Sequence, residues 1–270
     1  MAKQMDSITL EMINNMQAIN QLIIPWASPV PVFGDISKAR IATLGINPSD
    51  KEYIDNDGKM LSKEQSRFQN LFTLGIKDWS NITQHHLELI IKSCDNYFNN
   101  NPYSWFSKLD YLVSGTMNSY YFPYKSACHL DLVPYATKKK WSQLNLTERQ
   151  ELISKSSNYL GKIIKNSKID LVVLNGAYVV SIFENIINEG LEKVEKTDWS
   201  LPRRNSIDVK GYAYYKTVTK ISNVDLGKTV LILGYNHNIQ SSFGVTRRVM
   251  TSIREWISNQ YGMFLANDTN

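Results

Sequence analysis

Cysteine is nearly absent from this chain: Cys94 and Cys128 are the two among 270 residues. They lie far apart and match no zinc or iron–sulfur spacing, which argues against a disulfide scaffold or a cysteine-ligated cluster and for a reducing compartment. No apolar run is long enough to span a bilayer, and no secretory leader pattern opens the chain. A cytoplasmic protein with no membrane partner is expected. Phosphate-binding glycine patterns are missing as well. Gly227-Lys228-Thr229 has no upstream glycine at P-loop spacing, and neither G-x-G-x-x-G nor G-x-S-x-G occurs. His85 and His86 have no acidic residue at ligand spacing. No metal, metal cluster or other cofactor is therefore expected.

What is present is a chain that can build a core. Hydrophobic residues make up 43%, and 30 basic residues against 25 acidic ones give a net charge of +5. That surplus is compatible with a polyanionic partner but does not select one. Apolar residues at helical spacing predict a first helix at about 7–24, followed by helices over Lys63–Leu74, Thr83–Phe98, Ser104–Ser114, Leu146–Asn166, Tyr178–Asn188 and a last one to about Tyr261. Thr147 with Gln150 offers a capping box for the Leu146–Asn166 helix. Four short apolar runs, around Ile41–Leu44, in ACHLDL, in IDLVVLN and in KTVLILGYN, predict strands. Between the last two, about 199–225 alternates like an exposed hairpin inserted into the domain. Buried strands separated by helices imply one α/β domain, a three-layer α/β/α sandwich around a central four-stranded, mainly parallel sheet.

In such a sheet ligands bind beyond the carboxyl ends of the strands. Those ends carry GINPS (45–49), DLVPYAT (131–137), LNG (174–176) and GYNHNIQSS (234–242), so unusual polar residues converge on one rim. Asp131 is the most demanding of them, because a carboxylate flanked by Leu130, Leu132 and Val133 is costly without a partner. Asn47 sits in a turn that either satisfies its own backbone or presents an amide to a bound water. NHNIQSSFG either caps the last helix or binds phosphate through serine hydroxyls and free backbone N–H groups. Ile239 and Phe243 are loop anchors or wedges for a duplex.

Taken together, these motifs resemble the uracil-DNA glycosylase superfamily. GINPS resembles its first motif, DLVP the N-x-x-P of its second, and NHNIQSS its final H-P-S-P-x-S-type motif, in the family's order and over roughly residues 33–260. The opening VFGD with ARIATLGINPS resembles a bacterial branch that includes phage-defence glycosylases acting on modified cytosines. The resemblance implies a monofunctional DNA glycosylase, a hydrolase of N-glycosidic bonds that leaves an abasic site, acting as a monomer on phage or damaged DNA. It implies Asn47 and His237 as catalytic residues, with Asn236 as the alternative to His237. Gly45, Ile46, Ser49, Asp131 and Asn175 would contact the base, and Tyr121 or Phe122 would stack on it. Asn238, Ile239, Gln240, Ser241, Ser242 and Arg247 would meet DNA. Arg203, Arg204 and Arg248 are further candidate phosphate contacts. The proline and serine that follow the family's last-motif histidine are missing here, as is the first-motif carboxylate of the fastest uracil enzymes.

The base identity turns on Asp131, which stands where the family has a base-reading asparagine. An ionised carboxylate has no donor for uracil O4 but accepts well from the N4 amino group of cytosine. A protonated Asp131 could instead donate. Ser49, small where uracil-selective members carry tyrosine, leaves room at C5. A 5-substituted cytosine, such as glucosylated hydroxymethylcytosine, is the expected substrate. A repair enzyme for uracil and a catalytically weak DNA- or nucleotide-binding protein are the alternatives.

Overall fold

The computed structural model of the protein describes residues 2–100, 104–203, 207–240 and 245–268. Strands β1 (Ile41–Gly45), β2 (Ala127–Asp131), β3 (Leu171–Asn175), β4 (Glu192–Leu201), β5 (Val209–Ile221) and β6 (Val224–Tyr235) form one sheet in the order β2-β1-β3-β6-β5-β4. β2, β1, β3 and β6 run parallel, while β5 and β4 pair antiparallel at one side. The α/β class stands. The expected four-stranded, mainly parallel sheet does not, because the sheet has six strands and is mixed.

The reason lies in the outer strands. EKVEKTDWSL of β4 carries charges on its exposed positions and buries only Trp199 and Leu201. Such a strand lacks the apolar run that marks a strand covered on both faces. The hairpin expected at about 199–225 is thus no insertion. It continues the ladder directly, from Ala213 paired with Tyr235 to Ile221 paired with Val224 around the Ser222–Asn223 turn, where Ser222 takes φ 51°.

Helices α1 (Ala2–Met16), α2 (Leu71–Leu74), α3 (Gln84–Asp95), α4 (Trp105–Val113), α5 (Leu146–Lys165), α6 (Ala177–Ile187) and α7 (Arg247–Asp268) flank the sheet. α1 packs with α3 and α5, and α4 with α7. The first helix ends well before residue 24, because the chain there already bonds to the stretch after β2: Ile24 N–H donates to Ala136 O, and Lys138 N–H to Leu22 O. The predicted Lys63–Leu74 helix shrinks to α2 for a similar reason. Ser28 N–H donates to Gln69 O and Leu71 N–H to Trp26 O, so long-range backbone pairing overrides local propensity. Asn70 caps what remains. α5 is capped by Asn145, with Glu148 completing the box, two residues ahead of the predicted Thr147.

Candidate functional site

Two parallel registers build the rim. Gly45 pairs with Asp131, and Asn175 with Tyr235, so the ends of β1, β2, β3 and β6 are level. Beyond them opens a cavity of about 730 Å3. Gly45, Ile46, Asn47, Ser49, Asp131, Asn175, Asn236, Asn238 and Gln240 all line it. Phe33, Lys51, Glu52, Trp105, Phe106, His129 and Tyr178 line it too and were not foreseen. Among them His129 had a signal: it precedes Asp131 by two residues on a strand, which puts both on one face.

Gly45 makes room for these two side chains. A Cβ there would stand 2.5 Å from Asp131 Oδ1 and 2.8 Å from His129 Nε2. Asp131 Oδ1 lies 3.3 Å from His129 Nε2, and both side chains are almost wholly buried, at 3% and 2% exposure. So the awkward carboxylate has His129 as a protein neighbour on Oδ1. His129 Nδ1 lies 2.7 Å from Thr43 Oγ1, its register partner on β1, and Thr43 Oγ1 lies 2.6 Å from Tyr120 OH. The rings of Phe33, Trp105 and Phe106 pack around the imidazole at 5.2 to 5.4 Å.

Asn47 is held by its amide nitrogen, which donates to Pro48 O at 2.9 Å and Thr137 Oγ1 at 3.3 Å. Donation to a carbonyl fixes which end is nitrogen and leaves Oδ1 as the acceptor. The loop backbone is set by Val133 N–H donating to Ile46 O at 2.8 Å. Ser49 caps the following turn, accepting from Lys51 N–H. Glu52 is buried in the wall. Its carboxyl is held above its ordinary range by burial, against the pull of Arg67 and Tyr97, with a smaller push from the Asp131 charge. Arg67 Nε donates to Glu52 Oε2 at 2.6 Å and Tyr97 OH to Oε1 at 2.8 Å.

On the other side of the mouth, Tyr235 OH donates to Asn175 Oδ1 at 2.8 Å, and Asn175 Nδ2 to Gln240 Oε1 at 3.3 Å. Gln240 Nε2 is buried without a partner among the described residues. Asn238 is exposed, and its Oδ1 accepts from Gln240 N–H.

Several expected site residues are placed elsewhere. His237 is buried, does not line the cavity, and donates from Nε2 to Trp199 O at 2.7 Å. Burial lowers its pKa, opposed by that carbonyl. Asn236 lines the cavity but is committed to the hairpin, accepting from Tyr212 N–H and donating to Lys210 O. Tyr121 is half-buried and Phe122 is 83% exposed. Both precede β2, whose five residues separate them from Asp131 by about 16 Å at the usual rise per residue. They occupy the wrong end of the strand to stack over the cavity, and the aromatic wall comes instead from Phe33, Trp105, Phe106 and Tyr178. Ile239 is fully buried, an anchor rather than a surface wedge. Arg203, Arg247 and Arg248 are exposed. Arg204, Ser241, Ser242 and Phe243 lie outside the described residues.

Among the described residues, no group of His, Cys, Asp and Glu is placed to hold a metal ion, and no helix is long and apolar enough to cross a membrane. No protein-family model matches the chain, and no curated protein matches its sequence.

Proposed function

We propose that the chain is a DNA glycosylase that draws a modified pyrimidine, a 5-substituted cytosine, out of the DNA stack and hydrolyses its N-glycosidic bond. The observation that carries this reading is that Asn47 and Asp131 line one aromatic-walled cavity at the ends of parallel strands. At about 730 Å3 the cavity matches the size of small-molecule sites, with space for a base and a bulky substituent. Removing a base from the stack costs a few kcal/mol, which contact with the exposed Trp105 ring in the aromatic wall offsets.

In this reading Asp131 accepts from the N4 amino group, and Ser49 leaves the C5 side open. Asn47 Oδ1 accepts from a water and orients it toward C1′. As the C1′–N1 bond breaks, its electron pair leaves with the base, the water oxygen bonds to C1′, and a proton passes to solvent. The departing base needs a hydrogen-bond donor. His237 is committed to Trp199, so Nε2 of Gln240, which has no partner among the described residues, takes that part. Asn238 and Arg247 contact the DNA backbone, and the enzyme works as a cytoplasmic monomer.

The test is a set of duplexes carrying uracil, cytosine, 5-methylcytosine, 5-hydroxymethylcytosine and its glucosylated form, scored for abasic sites. Release of a 5-substituted cytosine is expected, and the Asn47→Ala variant should lose about 10²–10³-fold in rate while retaining DNA binding. Release of uracil alone, or full activity in Asn47→Ala, overturns the reading.

A further inference from the structure

Beneath the cavity floor three side chains form a hydrogen-bonded file: Tyr120 OH to Thr43 Oγ1, and Thr43 Oγ1 to Nδ1 of His129. All three are buried, and among the described residues Thr43 is the one hydrogen-bond partner of the Tyr120 hydroxyl. The file holds two hydroxyl protons, and their order is constrained by counting. If Tyr120 donates to Thr43, then Thr43 donates to Nδ1, every group is satisfied, and the ring proton sits on Nε2. If Nδ1 carries the proton and donates to Thr43, three protons share two hydrogen bonds, and the hydroxyl proton of Thr43 or of Tyr120 is left unpaired in the core. That cost makes the second order rarer by roughly 10- to 100-fold.

We infer that Thr43, to which Tyr120 donates, locks His129 as its Nε2–H tautomer, so that a fixed donor stands beside the Asp131 carboxylate on the cavity floor. Nε2 lies 3.3 Å from Asp131 Oδ1, so the donor and the acceptor are neighbours. Two side chains then present a donor and an acceptor side by side, in an order the ligand cannot reverse. The consequence for substrate choice rests on the glycosylase reading. A cytosine edge offers N4–H beside the N3 acceptor and complements this pair, whereas uracil offers O4 beside N3–H, the opposite order. Thr43 is thus a positioning residue for base selection, though it does not line the cavity.

The experiment is nitrogen-15 NMR of the histidine ring nitrogens in the full chain at neutral pH, with His129→Gln identifying the signals. The expected result is a protonated Nε2 and a bare, hydrogen-bonded Nδ1 at position 129. Thr43→Val keeps the shape and removes the hydroxyl that donates to Nδ1, so an Nδ1–H population should appear, and any preference for amino over keto bases should fall about tenfold. Tyr120→Phe leaves Thr43 with Nδ1 as its acceptor and should keep the Nε2–H tautomer. Should Thr43→Val not fold, Thr43→Ala takes its place. A proton on Nδ1 in the unaltered protein, or an unchanged tautomer in the Thr43 variant, overturns the inference. An Nε2–H ring that responds to Thr43→Val in a protein that releases no base leaves the lock standing and removes only the glycosylase reading.

Discussion

The two halves of the sheet solve different problems. β1, β2 and β3 are five residues each, and they and the facing stretch of β6 are almost entirely buried, so they offer little but their ends. β4 and β5 are ten and thirteen residues long, and about half their positions are open to solvent. Polar side chains gather where the parallel strands stop together, because there a carboxylate, an imidazole and an amide can share one cavity. The antiparallel half contributes mass and closure instead. It takes His237 and Asn236 from the end of β6 and uses both to hold the hairpin. Identical residue types thus become site or scaffold according to which half receives their hydrogen bonds.

The largest effect should come from breaking the parallel half at Gly45. In Gly45→Ala the new Cβ meets both Asp131 Oδ1 and His129 Nε2 well inside contact distance. Since these are the short, buried side chains of the floor, the pair must be displaced. A loss of roughly 1–3 kcal/mol in urea unfolding is expected, together with loss of base release by the molecules that stay folded. Gly211→Ala is the matched control on β5. Its Cβ would meet Trp199 Cβ at 2.2 Å and Lys196 O at 2.9 Å, so it also costs stability. Activity per folded molecule should survive there. If both variants lose activity alike, the division between site and scaffold is wrong.

Next in size is His237→Ala. As a brace it should cost about 1–3 kcal/mol through the lost bond to Trp199 O and leave base release per folded molecule little changed. A collapse of the rate by about 10²–10⁴-fold would instead restore the catalytic role its sequence position implies. A pH scan adds a sign. Burial holds this imidazole below the ordinary value of 6.5, so below that pH the unfolded chain takes up a proton that the folded one resists. Stability of the unaltered protein should therefore fall as pH drops below about 6.5, and His237→Ala should lose that component.

How far the sequence was legible follows the same division. The parallel strands announce themselves as apolar runs, and with them the rim that brings Asn47, Asp131, Asn175 and Gln240 together. β4 and β5 read poorly, since half-exposed alternation with charged residues resembles surface chain. The 63–70 stretch misled for another reason: its backbone is claimed by residues 26–28, far away in sequence. Trp105 and Phe106 had no signal at all, because only the packing of α4 decides that they face the cavity. Tyr121 and Phe122 were misassigned by proximity along the chain, which ignores the length of the strand between them and the site. His129 was the readable omission, two residues from Asp131 and bound by strand alternation to its face.

The smallest expected effect again separates the halves, through a carboxyl on the parallel side. Every Asp and Glu on β4, β5 and β6 among the described residues is exposed, whereas Asp95 at the end of α3 is pushed from 3.8 to about 6. Burial is the main cause, the nearby Asp35 charge adds to it, and Lys38 opposes both. Its Oδ1 has no hydrogen-bond partner among the described residues. Because the folded pKa is raised, the folded state holds the proton more tightly between about 4 and about 6, so stability falls as pH rises through that window. Solvent reaching the side chain trims the roughly 3 kcal/mol implied by the shift to about 1–2 kcal/mol. Asp95→Asn should thus stabilise the protein by that amount at pH 7.5 and by nothing near pH 3.5, with base release untouched. This gain carries the opposite sign to the His237 component, so the two halves should pull the pH profile in opposite directions between pH 4 and 6. Urea unfolding of the two single variants and the double variant across that range resolves them. An Asp95→Asn gain that is equal at both pH values would show that packing, not the carboxyl's charge, sets the effect.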